Sequence, residues 1–181
     1  MQGIFTAAFA LALAVALPAK ADVYGEDPED KNVFEFNVAA VVNHMNIFEY
    51  QRVYDREWTW SLRGIYWAVE PNKWEVEAGG GGFAIKKYTT TSAPYGAYMA
   101  LGCDVIGITA YSGQFGPGDY QETIFVMPFA NIGHTWLVDS FFFDVSLGGQ
   151  YVFGGIEERY GREFPITGFL AYLNVGLGIA F

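Results

Sequence analysis

The chain has 181 residues, with 20 Asp or Glu against 10 Lys or Arg and a formal net charge of −10. That balance argues against nucleic acid as a partner, since phosphate contacts need Lys and Arg to displace counterions. The single cysteine, Cys103, rules out an intrachain disulfide. Aromatics make up 18% and glycines number 22, yet beyond the first residues no segment approaches the roughly 18 uninterrupted apolar residues of a membrane helix.

From the N-terminus, Ile4 to Leu17 is an apolar run too short to span a bilayer as a helix, followed by Pro18 and Ala19-Lys20-Ala21. A hydrophobic segment ending in a small-x-small site predicts a cleaved secretory signal peptide over 1–21, leaving Asp22 first. Residues 22–32 are acidic (Glu26-Asp27-Pro28-Glu29-Asp30) and predict a solvated tail. They lack the ligand spacing of a calcium loop.

Residues 33–181 alternate strand-like stretches with turn signals. Strands are expected near Val33–Val42, Asn46–Tyr54, Trp58–Val69, Trp74–Thr89, Tyr95–Tyr111, Glu122–Leu137, Phe141–Phe153 and Gly168–Phe181. An even count suits an antiparallel up-and-down transmembrane barrel of about eight strands with both termini on one side. The turns near Asp55–Glu57, Thr90–Pro94 and Val138–Ser140 read as short, whereas Gly113–Gln121 and Gly154–Thr167 are longer. Trp58, Trp60 and Trp136 lie beside short turns, and Tyr66, Trp74, Tyr111 and Tyr151 lie nearer long connections. Amphipathic rings prefer membrane–water boundaries, so two aromatic girdles are expected.

With the apolar parity outward, the inward set is Glu35, Asn37, Glu49, Gln51, Ser61, Arg63, Glu75, Glu77, Asp104, Asn131, Asp144, Ser146, Gln150 and Asn174. A barrel of this size is filled by side chains, and buried charges must be paired. If Tyr54 faces Trp58 across the turn, Glu49 falls opposite Arg63, with Glu75 and Glu77 in reach on the next strand. These four residues are expected to form an interior ion-pair hub. Gly79–Gly82 predicts a bulge or bend within a strand, with a parity flip, since Val76 and Ala78 suit the outside before it and Phe83 and Ile85 after it. Pro128 lacks an N–H and predicts a ladder defect. His44 falls in a loop. His134 points outward if Trp136 does, or inward opposite Asp144 if Leu137 pairs with Phe141. No catalytic residue, metal ligand or cofactor is assigned. Alternation alone explains Ser146 beside Asp144, with no oxyanion hole to complete a triad.

The final strand, Asn174-Val175-Gly176-Leu177-Gly178-Ile179-Ala180-Phe181, alternates strictly and ends in an aromatic residue. Its Asn174, Gly176, Ile179 and Phe181 resemble the assembly signal of bacterial outer-membrane barrels. The whole of 33–181 resembles the small eight-stranded barrels of the OmpX, OmpA-transmembrane and OmpW type. Asn131-Ile132-Gly133-His134-Thr135-Trp136 and Phe143-Asp144-Val145-Ser146-Leu147-Gly148 look like uncharacterised members of that group. The resemblance implies a Gram-negative outer-membrane location with both termini periplasmic. It further implies contact with membrane lipid and lipopolysaccharide, and handling by the barrel assembly machinery. A non-enzymatic barrel whose external loops meet a partner, ligand or surface is the leading expectation. The alternatives are a lipid A-modifying enzyme, whose deacylase pattern His-x-Ser-Asn is absent at His134-Thr135-Trp136-Leu137, and a narrow pore.

Overall fold

The computed structural model describes residues 32–41, 45–69, 74–89, 92–112, 120–157, 163–165 and 167–181; the expected signal peptide, nearly all of the acidic tail, and His44 lie outside them. The barrel strands are β1 (Asn32–Asn37), β2 (Met45–Asp55), β3 (Trp58–Val69), β4 (Trp74–Tyr88), β5 (Gly96–Ser112), β6 (Tyr120–Val138), β7 (Phe141–Val152) and β10 (Gly168–Ala180). Each is antiparallel to its neighbours, and the ring β1-β10-β7-β6-β5-β4-β3-β2 closes. A closed ring leaves no unpaired strand edge. Closure is completed at the chain ends, where Phe181 N–H donates to Asn32 O at 2.9 Å and Asn32 N–H to Phe181 O at 3.0 Å.

Two pieces interrupt the expected pattern. The first strand does not run to Val42: it stops at Asn37, and a four-residue helix, α1 (Val38–Val41), follows. Asn37 causes the stop, because its Oδ1 accepts from Ala40 N–H at 3.0 Å and offers the backbone a cap in place of a ladder. A two-stranded hairpin, β8 (Gly155–Glu157) and β9 (Glu163–Pro165), occupies the connection between β7 and β10 that reads as a plain loop.

Gly79–Gly82 is neither a bulge nor a parity switch. Both flanking ladders keep register through it, Gly82 facing Arg63 on one side and Asp104 on the other. Ala78, Ala84, Lys86 and Tyr88 are all buried on the inside, so one parity holds along the whole of β4. Pro128 does sit at a defect. The β6–β7 ladder is continuous from Phe129 to Val138 and resumes only as the single bridge Val126–Phe153. A register shift beside the 56–57 turn lies between Val53 and Asp55, so Trp58 pairs with Asp55 and Tyr54 is left unpaired on that side.

The outside is apolar around the ring: Phe48, Leu62, Phe83, Leu101, Ile132, Leu147 and Ile179 are all exposed. The inside is layered. At the end carrying the 56–57 and 139–140 turns, Val33, Phe142 and Ala180 pack with Leu137, and Tyr88, Ala93 and Tyr98 pack with Val53. The 89–95 connection folds into this end: Ala93 N–H donates to Arg56 O at 2.9 Å, and Thr135 Oγ1 donates to Pro94 O. At the other end Ile47, Ile65, Ala78, Ile106, Phe125, Met127 and Val152 form a second apolar layer. Between the two lies a polar belt.

Candidate functional site

One inward row of the barrel holds the centre of that belt. Backbone pairing sets Glu35 opposite Glu49, Glu49 opposite Arg63, Arg63 opposite Gly82, and Gly82 opposite Asp104. Strands lie about 4.8 Å apart, so Arg63 and Asp104 sit on backbones about 10 Å from each other. Gly82 between them has no side chain, and a Cβ there would overlap the Asp104 carboxylate. The guanidinium crosses this gap: Nη1 donates to Asp104 Oδ2 at 2.9 Å and Oδ1 at 3.2 Å, and Nη2 donates to Tyr172 Oη at 2.8 Å. Its Nε lies 3.5 Å from Glu49 Oε2. The plane is flanked by aromatic faces, with Cζ 4.8 Å from the Phe129 ring centre and 5.4 Å from that of Tyr172. Phe129 enters because the inward position beside it is Gly102, where a Cβ would strike its ring.

A second cation joins from β4. Lys86 Nζ is 2.8 Å from Glu49 Oε1 and 5.1 Å from the centre of the Tyr98 ring. Glu49 is thus shared between Arg63 and Lys86. Glu35 and Asp144 have no cation at ion-pair distance among the described residues. Asn174 bridges them, its Nδ2 donating to Glu35 Oε1 at 3.0 Å and Asp144 Oδ1 at 2.7 Å, and Tyr98 Oη donates to the same Asp144 oxygen at 3.1 Å. Glu35 Oε2 and Asp144 Oδ2 have no hydrogen-bond partner among the described residues. Among the described residues two buried cations therefore face four buried carboxylates. Gly176 makes room for Glu35, since a Cβ there would overlap the carboxylate.

The sequence-derived residues distribute unevenly around this centre. Glu49 and Arg63 are brought together, although Trp58 pairs with Asp55 and not with Tyr54: that pairing alone would set Glu49 opposite Gly64, and the irregularity at Tyr54 shifts the register by one to Arg63. Glu77 is not: it is exposed on the outer wall, because the parity of β4 never flips and the inward neighbour is Ala78. The side chains of Glu75 and Trp74 lie outside the described residues. Asp104, expected inside, takes the role assigned to Glu75 and Glu77. Lys86 was missed, although it shares the parity of Ala84 and Tyr88; beside Lys87 and close to a turn, it reads as a solvated pair.

His134 takes the outward alternative, because Val138 rather than Leu137 pairs with Phe141. Its ring lies 4.4 Å from that of Trp136, and Thr135 is the inward residue opposite Asp144. Trp58, Trp60 and Trp136 stand at the turn end, whereas Tyr66 and Tyr151 are exposed nearer the other end. On β10, Asn174 and Gly176 face inward and Ile179 outward, and Phe181, just beyond the strand, is exposed.

The described contacts of the belt are ion pairs and hydrogen bonds among its own side chains. Among the described residues it holds no hydroxyl or thiol beside a histidine, and His134 faces the outer wall. Among the described residues no group of three His, Cys, Asp or Glu is arranged to hold a metal ion. No protein-family model, curated protein or solved structure matches the chain.

Proposed function

We propose that this is an integral outer-membrane β-barrel protein of a Gram-negative bacterium, without a catalytic centre, whose loop end meets a partner, ligand or surface. One observation carries the reading: the barrel is inverted relative to a soluble one. Leu101, Ile132 and Ile179 are each more than 60% exposed on the outer wall, while Arg63, Asp104 and Asp144 are each 5% exposed or less inside. A soluble eight-stranded barrel would reverse this alternation. A strand face that water would penalise is what a bilayer requires.

The turn end, which also carries Asn32 and Phe181, is the periplasmic end on this reading, by the rule that periplasmic turns are short. The turns at 56–57 and 139–140 are two residues each, whereas the 89–95 connection, expected to be short, is longer than 70–73 at the other end. Residues 1–21 are the export signal, and β10 is the segment engaged by the assembly machinery. Lipid and lipopolysaccharide surround the wall. The layered interior speaks against the narrow pore, with Phe142 and Gln51 completely buried and a second apolar layer beyond them.

The membrane reading is tested by fractionation of the native host together with unboiled gel mobility. The chain should appear in the outer-membrane fraction, start at Asp22, and migrate differently before and after boiling. Recovery in the soluble periplasm would overturn it. Co-purification from native outer membrane would then identify what the loop end holds.

A further inference from the structure

The outer wall is not uniformly filled. Along β4–β6 two outward rows pass through small residues: Phe83–Cys103–Pro128 and Ile85–Leu101–Ala130. The result is an apolar groove of about 970 Å³, lined by Phe83, Ile85, Leu101, Cys103, Ala130 and Ile132 among others. That volume is at the upper end of the ~300–1,000 Å³ typical of small-molecule sites. From Lys87 to Phe83 the groove follows four residues of strand, about 14 Å. It contains one charge. Lys87 lines the turn end, its Nζ 5.2 Å from the centre of the Trp58 ring, and forms no ion pair with a described residue. Every other lining residue is uncharged.

An apolar slot with a single cation at one end is the complement of an alkyl chain carrying one anionic head. We propose that the groove binds an acyl chain of an anionic glycerophospholipid, with the headgroup phosphate on Lys87 beside Trp58. The proposal rests on the membrane reading above. On that reading the turn end faces the periplasm, so Lys87 sits at the level of the inner leaflet, where glycerophospholipids are found. A second copy of the chain fits less well. Two barrels inserted in the same direction and related by a two-fold axis would bring the same patch of each together. Both Lys87 ammonium groups would then meet at one depth.

The test uses the purified full chain in mild detergent, supplied with equal amounts of phosphatidylglycerol and phosphatidylcholine of the same acyl composition, with bound lipid read by native mass spectrometry. Phosphatidylglycerol should be retained about fivefold over phosphatidylcholine, the discrimination expected of one lysine at a membrane surface. Lys87→Gln should bring that ratio close to one, and Ala130→Phe, which adds bulk to the lining, should lower retention of both lipids. Both positions face outward, and unboiled gel mobility confirms that each variant is a closed barrel. Equal retention of the two lipids by the unmodified chain, or an unchanged ratio in Lys87→Gln, would overturn the headgroup assignment. Unchanged retention in Ala130→Phe would overturn the acyl-chain assignment. Disulfide formation between Cys103 of two copies in phospholipid vesicles would show that a second copy fills the groove instead. Failure of the membrane reading looks different: the chain would be soluble without detergent and would show no heat-dependent mobility.

Discussion

Replacing Arg63 by alanine tests whether the polar belt is one connected network. Arg63 is 5% exposed and holds Asp104 through two contacts of 2.9 and 3.2 Å, Tyr172 at 2.8 Å and Glu49 at 3.5 Å. Its loss strands Asp104, itself 3% exposed, with no other cation in reach among the described residues. Breaking a buried pair from one side costs about 3–5 kcal/mol, and the orphaned Tyr172 hydroxyl adds about 1 kcal/mol. Glu49 adds little, because Lys86 remains 2.8 Å away. The total, about 4–6 kcal/mol, is a large share of the ~5–15 kcal/mol that holds an ordinary domain together. Two double-mutant cycles separate the partners. Arg63→Ala with Asp104→Ala should show a coupling of about 2–3 kcal/mol, and Arg63→Ala with Glu49→Ala about 1 kcal/mol or less. Reversible urea unfolding of protein refolded into detergent or vesicles, followed by tryptophan fluorescence and gel mobility, gives each value. Additivity of the Arg63–Asp104 pair within about 0.5 kcal/mol, or a larger coupling to Glu49 than to Asp104, would refute the network.

Gly82→Ala places a methyl group against the Asp104 carboxylate and should cost about 1–3 kcal/mol in the same unfolding assay; a neutral result would mean Arg63 does not need that gap. Glu35→Gln removes one of four buried carboxylates facing two cations while keeping an acceptor for Asn174, so stability should hold or rise by about 1 kcal/mol. A clear loss would show that the Glu35 charge is needed. Leu101→Arg, on the outer wall, should cost about 2–4 kcal/mol in a phospholipid bilayer, and no cost there would count against the membrane reading. Phe181→Ala keeps the two backbone bonds to Asn32, so refolding in detergent should survive while outer-membrane yield in cells falls. Normal yield would remove Phe181 from the assembly signal.

Alternation made the strands legible because a sheet with one greasy and one polar face repeats every two residues. It located β3 to the residue, but the Glu49–Arg63 register holds because the unpaired Tyr54 offsets the Asp55–Trp58 pairing that the tight turn sets. Alternation failed where the polarity of the two faces converges. Towards the loop end Ile47, Ile65, Ile106 and Phe125 point inward while Glu77 and Glu122 are exposed outside, so reading polarity as direction put Glu77 on the wrong side. Nor could local pattern show that Gly82 is a gap to be crossed. The contact it permits joins residues 41 apart in sequence on strands that are not neighbours. Helix α1 was hidden for a similar reason: Val38-Ala39-Ala40-Val41 is compatible with a strand, and only the Asn37 side chain decides against it.

The polar belt also bears on how such a barrel can be made. Its longest-range links, Glu35 to Asn174 across 139 residues and Arg63 to Tyr172 across 109, tie the first strands to the last. None of them exists until β10 reaches β1, so an open sheet lacks both contacts and leaves these charges incompletely matched. On the proposed reading, such a sheet could not rest in hydrocarbon with that face uncovered. Insertion and closure would have to occur as one event, or an escort would have to shield the open seam. The same contacts that steady the finished wall would make half-built intermediates short-lived, and would leave a chain that had lost its final strand no stable place in the bilayer.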